Sequence, residues 1–118
     1  MKYVLFVYQD EAASKAASQD QLAASLERFN RFHQEIIESG HMLDAQRLQH
    51  SDTATTVKVR GGDVLATDGP YAETKEQLGG FYLIEANNLE EAVNIAARVP
   101  TAESGHIEIR PVFVPPSP

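Results

Sequence analysis

Between two apolar runs of this 118-residue chain lies Asp68-Gly69-Pro70-Tyr71-Ala72-Glu73-Thr74-Lys75-Glu76-Gln77-Leu78-Gly79-Gly80, a segment with three acids, a lysine, three glycines and a proline. That is more chemistry than a connector needs. Asp68, placed directly before Gly69-Pro70, has two readings. Its carboxylate can accept the following backbone amides as an Asx turn. Set instead in an apolar pocket beside Tyr71 and Phe81, it is desolvated, its pKa rises, and it can serve as a general base. His33 is the second candidate. On an apolar helical stripe an imidazole is either a core or interface histidine satisfied by backbone or carboxylate, or a group that exchanges protons with substrate while Asp68 fixes its tautomer.

The charged residues of the same segment also divide between two roles. Glu73, Lys75 and Glu76 read as a solvated loop, or as a clamp in which the lysine holds an anionic ligand beside the double glycine. Tyr8, Tyr71 and Tyr82 read as amphipathic residues at the rim of the core, or as hydroxyl donors to a developing oxyanion. Arg110 is expected to pair with an acid, and with Tyr71, Glu73, Lys75 and Phe81 it completes the residues expected on the substrate side. His41 and Asp44 have one metal-like spacing, while His50 and His106 stand alone, so no metal site is expected. Gly79-Gly80 suits a bulge or a close backbone approach, and no phosphate-loop or dinucleotide pattern accompanies it.

Composition narrows the function classes. A net charge of -7 with scattered lysines and arginines opposes nucleic-acid binding. With no cysteine there is no disulfide, no thiolate nucleophile and no thiolate-bound metal. The apolar run at Tyr3 to Tyr8 is too short for a membrane span and lacks a cleavage site after it, so a cytoplasmic protein without membrane contact is expected.

The elements that must position these groups follow from periodicity. Lys2 to Tyr8 and Gly79 to Glu85 are apolar on both alternating faces, as in strands covered on both sides. Asp20 is expected to cap a helix running to about Ser39 and closed by Gly40, with Leu22, Leu26, Phe29, His33 and Ile36 along one face. Met42 to Leu48 is an ambiguous strand; Thr55 to Arg60 and Val64 to Thr67 form a hairpin around Gly61-Gly62, and Asp68 closes it. Asn88 caps a helix to Arg98 with Leu89, Ala92, Val93 and Ala96 inward, Pro100 stops it, and His106 to Val114 is the last strand. This order is a split βαβ arrangement of ferredoxin-like α+β type with an antiparallel sheet and an inserted β-hairpin, helices on one face only. The other sheet face then calls for a second copy, and a charge at Leu5 or Leu83 is expected to disrupt that homodimer. One domain over residues 1–114 and a Pro-rich tail over 115–118 are expected.

Asp68 to Ile84, together with the Thr55 to Arg60 strand, Leu89-Glu90-Glu91-Ala92 and Glu108-Ile109-Arg110-Pro111-Val112, resembles the DGPF group of the YCII-related family over nearly the whole chain. Tyr71 departs from it, standing where the group's name calls for phenylalanine. The resemblance implies a dimeric α+β barrel with a small pocket and no assigned reaction, and a histidine and aspartate acting there as an acid/base pair. The aspartate maps onto Asp68 inside the matched motif; His33 is the histidine by its place on the first long helix. It also implies an association with extracytoplasmic-function sigma factors and, in the wider fold superfamily, small isomerases, lyases and oxygenases working without metal. With Asp68 as base and His33 as partner, the reading is proton transfer, isomerisation or elimination on a small organic acid or aromatic molecule, with no cofactor. A noncatalytic binding or regulatory module is the alternative.

Overall fold

The structure, a computed structural model, describes residues 1–117. Strand β1 (Lys2–Asp10) is followed by the short helix α1 (Glu11–Ala16) and the long helix α2 (Gln19–Glu38), then β2 (Met42–Arg47). A hairpin of β3 (Thr55–Arg60) and β4 (Asp63–Asp68) precedes β5 (Glu76–Glu85), α3 (Leu89–Ala96) and β6 (His106–Pro111). The four long-range strands form one antiparallel sheet in the order β2-β5-β1-β6, while β3-β4 is a separate two-stranded sheet. This is the ferredoxin-like α+β topology, with the hairpin inserted between its second and third strands.

The helices cover one face. Tyr3, Leu5 and Val7 of β1 and Tyr82 and Ile84 of β5 are buried against Phe32 and Ile36 of α2 and Ala92, Ile95, Ala96 and Val99 in and after α3. The register pairs Tyr3 with Ile84 and Leu5 with Tyr82 on this side, and Val4 with Leu83 and Phe6 with Phe81 on the other. Leu5 and Leu83 therefore point to opposite faces. Leu5, with no exposure at all, belongs to the core and not to the open face, which corrects its expected place in an assembly.

Several boundaries differ from the sequence reading for local reasons. Asp10 caps α1 by accepting the Ala13 amide at 3.2 Å, a helix not anticipated in this short alanine-rich stretch. Ser18, not Asp20, caps α2: its hydroxyl accepts the Gln21 amide and the Gln21 side chain accepts the Ser18 amide, a reciprocal box that satisfies two otherwise unpaired donors. Leu22 and Leu26 keep the helical period but remain exposed, and contact of α2 with the core begins at Phe29. In α3 the inward face is Ala92, Ile95 and Ala96; Leu89 and Val93 are exposed. Strand β6 ends at Pro111, and of the expected tail residues 115–117 carry no regular structure while Pro118 lies outside the described residues.

The hairpin turn has the anticipated left-handed glycines, Gly61 at φ 57° and Gly62 at φ 82°. At β5 the double glycine does both things proposed for it. Val7 pairs with Gly80 but Tyr8 pairs with Leu78, a bulge at Gly79, and a side chain at Gly80 would meet the Gln46 carbonyl oxygen at 2.7 Å. The radius of gyration, 16.6 Å, exceeds the roughly 13.5 Å of a compact domain of this length, since the hairpin stands away from the main sheet. No helix is long and apolar enough to cross a membrane among the described residues.

Candidate functional site

Alternation along β5 turns Tyr82 toward the helices, where it is 5% exposed. The 3.6-residue period of α2 brings Phe29, Phe32 and His33 over it. His33 Nε2 lies 2.6 Å from the Tyr82 hydroxyl, and their ring centroids are 5.4 Å apart. Phe32 stands edge-on to Tyr82 at 5.5 Å, and Phe29 and Phe32 each lie 6.1 Å from the imidazole. Removal from water disfavours charge on both partners: desolvation lowers the His33 pKa and pushes that of Tyr82 up to about 12. Both groups are thus neutral near pH 7, and no carboxylate bonds to either among the described residues.

Two tautomers satisfy this contact. With the proton on Nε2 the ring donates to the Tyr82 oxygen, leaving the Nδ1 lone pair free as a base; with it on Nδ1, the tyrosine O–H donates to Nε2. The first arrangement can take up a proton and keep the Tyr82 contact as the imidazolium forms. Tyr82, read from sequence as a core-rim residue or a hydroxyl donor, is therefore the ring partner of His33 within the chain.

Asp68 ends β4 opposite Thr55 and is exposed. Its carboxylate makes no hydrogen bond among the described residues, so the Asx-turn reading is not met. The turn is held by the backbone instead, the Gly69 amide donating to Ala54 O at 2.7 Å and the Thr56 hydroxyl donating to Gly69 O at 2.8 Å. No hydrogen bond joins Asp68 to His33 within the chain, and Tyr71, 92% exposed, encloses neither. Hairpin register does put Asp68 on the same side as Val57, Val59, Val64 and Ala66, the apolar side of that ribbon.

The remaining sequence candidates scatter over the open sheet face and its end. Arg110 stacks over the Phe6 ring at 5.8 Å and pairs with Glu108 at 3.4 Å, the acid partner expected for it. Phe81 lies on that face beside Phe6. Lys75 reaches Asp10 at 3.9 Å and Glu76 bonds His106 at 2.8 Å, while Glu73 is exposed. His41 and Asp44 do not converge on one point: His41 Nδ1 contacts the Glu85 carbonyl at 2.9 Å and Asp44 accepts the Ala45 amide at 2.8 Å. No group of three acid or imidazole side chains able to hold a metal ion occurs among the described residues.

The sequence profile of the YCII-related domain matches residues 1–115. The chain belongs to the YCII-related family. An uncharacterised protein of Rhizobium meliloti (strain 1021) is 33% identical over 114 residues, covering 95% of this chain and 92% of that one. In this YCII-related chain the imidazole of α2 meets the phenol of β5 between helix and sheet, and the opposite sheet face carries aromatic and ionic side chains partly open to solvent.

Proposed function

We propose that the chain works as a homodimer whose aromatic-lined imidazole performs proton transfer on a small organic molecule, with His33 as the acid/base group and Tyr82 holding its ring. The observation carrying this reading is the 2.6 Å His33–Tyr82 contact inside the aromatic cluster, where partial burial keeps the imidazole neutral near pH 7 with a ring lone pair able to accept a proton. The step is abstraction of a carbon-bound proton next to a carbonyl: the C–H pair shifts into the carbonyl to give an enolate, and the proton goes to His33. Return of a proton to a different atom completes an isomerisation; departure of a leaving group from the neighbouring carbon completes an elimination.

Two uncovered surfaces support assembly with a second copy. It would cover the open face around Val4, Phe6, Phe81 and Leu83, and it would cover the apolar side of a hairpin that, as two strands alone, is marginally stable. Asp68 lies on that apolar side, so assembly is what would desolvate it and make it a second acid/base group. The test is solvent exchange: a panel of small 2-oxo, 3-oxo and aryl-acetic acids in D2O, followed by proton NMR. Deuterium incorporation by the wild type and a loss of about 10²-fold or more in His33→Gln is expected. The exposure of Asp68 in the single chain favours a second reading, a noncatalytic ligand-binding or regulatory module acting with an extracytoplasmic-function sigma factor. Absence of exchange with every acid in the wild type would leave that module reading standing.

A further inference from the structure

The end of β2 and the loop after it border an open surface concavity of about 440 Å³ lined by Arg47, Leu48, Gln49, His50, Asp52 and Thr53. Of these residues only His50 entered the sequence reading, as an isolated histidine with no metal partner. We infer that this concavity binds the carboxylate of a small organic acid, with Arg47 as the charged anchor.

Arg47 is set apart from the other arginines. Arg28, Arg31, Arg98 and Arg110 each pair with a carboxylate, and Arg60 donates to the Val59 carbonyl. Arg47 has no ion-pair or hydrogen-bond partner among the described residues, in a chain of net charge -7 that offers acids in excess. The acids nearest the concavity are already engaged. Glu11 accepts both the Ser51 amide and the Ser51 hydroxyl at 2.6 Å, and these bonds hold its carboxyl below the usual range. Asp52, the acid in the lining, pairs with Lys15 at 3.6 Å.

The loop is also preformed. Leu48 N bonds Gly79 O at 2.9 Å, Thr53 N and its hydroxyl bond His50 O at 3.0 and 2.8 Å, and Ala54 N bonds Ser51 O at 3.0 Å. The side chains of Gln49 and His50 remain without hydrogen-bond partners among the described residues, so an amide and an imidazole flank one guanidinium. One guanidinium matches a monoanion and pairs its planar fork with a planar carboxylate. A dianionic phosphate would meet too little positive charge in this acidic protein. The site stands whether or not His33 transfers protons.

The test is titration of the full ¹⁵N-labelled chain with sodium acetate and, separately, inorganic phosphate at fixed ionic strength and pH. Expected are saturable amide shifts confined to residues 47–53 with acetate, weakened about tenfold or more in Arg47→Gln and unchanged in Arg60→Gln. Arg47 is exposed, so its replacement leaves the fold intact, and Arg47→Lys supplies a second measurement, with binding between wild type and Arg47→Gln. Linear, non-saturating shifts, equal affinity in Arg47→Gln, or tighter binding of phosphate than acetate would overturn the assignment.

Discussion

His33 and Tyr82 are 49 positions apart in sequence, and their side chains meet at 2.6 Å between the long helix and the strand at the middle of the sheet. The contact joins the two groups of the helix-side core on which burial acts most clearly, in opposite directions of pKa and with the same result, neutrality. A hydrogen-bonded neutral pair of this kind holds a ring orientation without needing a carboxylate, which is why Asp68 is dispensable for positioning His33 within one chain.

Acid should weaken the fold through His33. Its folded pKa lies below the ordinary 6.5, so above 6.5 both states are neutral and the contribution is complete. As pH falls below 6.5 the unfolded chain takes up a proton that the folded chain resists, and stability declines until the folded pKa is passed. Urea midpoints from pH 7.5 to 5 should fall in the wild type and fall less steeply in His33→Gln. Identical slopes would remove the histidine from this role. At the alkaline end, a phenolate absorbance step near pH 12 should vanish in Tyr82→Phe.

The loop after β2 is gripped from α1, and Glu11→Gln should loosen it. The carboxylate receives two Ser51 bonds at 2.6 Å, and charge-assisted bonds of this kind exceed neutral ones about twofold. Amide exchange at Ser51 should accelerate roughly tenfold in the variant while core amides of β1 hold their protection. In the wild type the grip is complete above the usual 4.5 and is lost as pH falls through the lower folded value, a window that opens at 4.5 where that of His33 opens at 6.5. Unchanged exchange at Ser51 would mean that the backbone bonds alone fix the loop.

How much of this was legible in the sequence depended on whether one element's pattern sufficed. The Gly61-Gly62 turn, the Asn88 cap and the bulge at the double glycine are written in single residues whose backbone preferences leave few alternatives. The Ser18 to Gln21 box was equally local but lay beside a competing Asp20. The faces of β1 and β5 were not legible, because both are apolar on both sides and only the helices reveal that Tyr82 and Leu5 turn inward. His33 could be put on the stripe of α2, but its partner is fixed by the crossing of α2 over β5, a long-range fact. Arg47 was hidden for another reason: the register shift between Met42 and Asp44 breaks the alternation of β2 just before it.

Gly105 carries a steric constraint of its own. A Cβ there would run into the Tyr8 carbonyl oxygen of β1 and approach the Thr101 methyl at 3.1 Å. The Gly105 amide also bonds Thr101 O at 2.7 Å, so the turn into β6 cannot drift away. Gly105→Ala should therefore destabilise by about 1–3 kcal/mol through overpacking, read as a lower denaturant midpoint with unchanged slope. Gly62→Ala, at the open hairpin tip, is strained by its φ of 82° yet meets no atom within 4 Å, so it should not shift β6 resonances as Gly105→Ala does.

The opposed orientations of Leu5 and Leu83 give the proposed dimer a discriminating test. Leu83 lies on the open face beside Val4, so Leu83→Asp should leave each chain folded and abolish association, halving the mass measured by sedimentation. Leu5 is fully buried among the helices, so Leu5→Asp places an unpaired carboxylate in the core and should cost several kcal/mol of folding stability. Its failure would therefore report on the core and not on the interface. If Leu83→Asp remains dimeric at micromolar concentration, the open face is not the interface, and the hairpin side bearing Val57, Val59, Val64 and Asp68 becomes the surface to alter next, through Val64→Asp, the variant of its most exposed apolar residue at 71%.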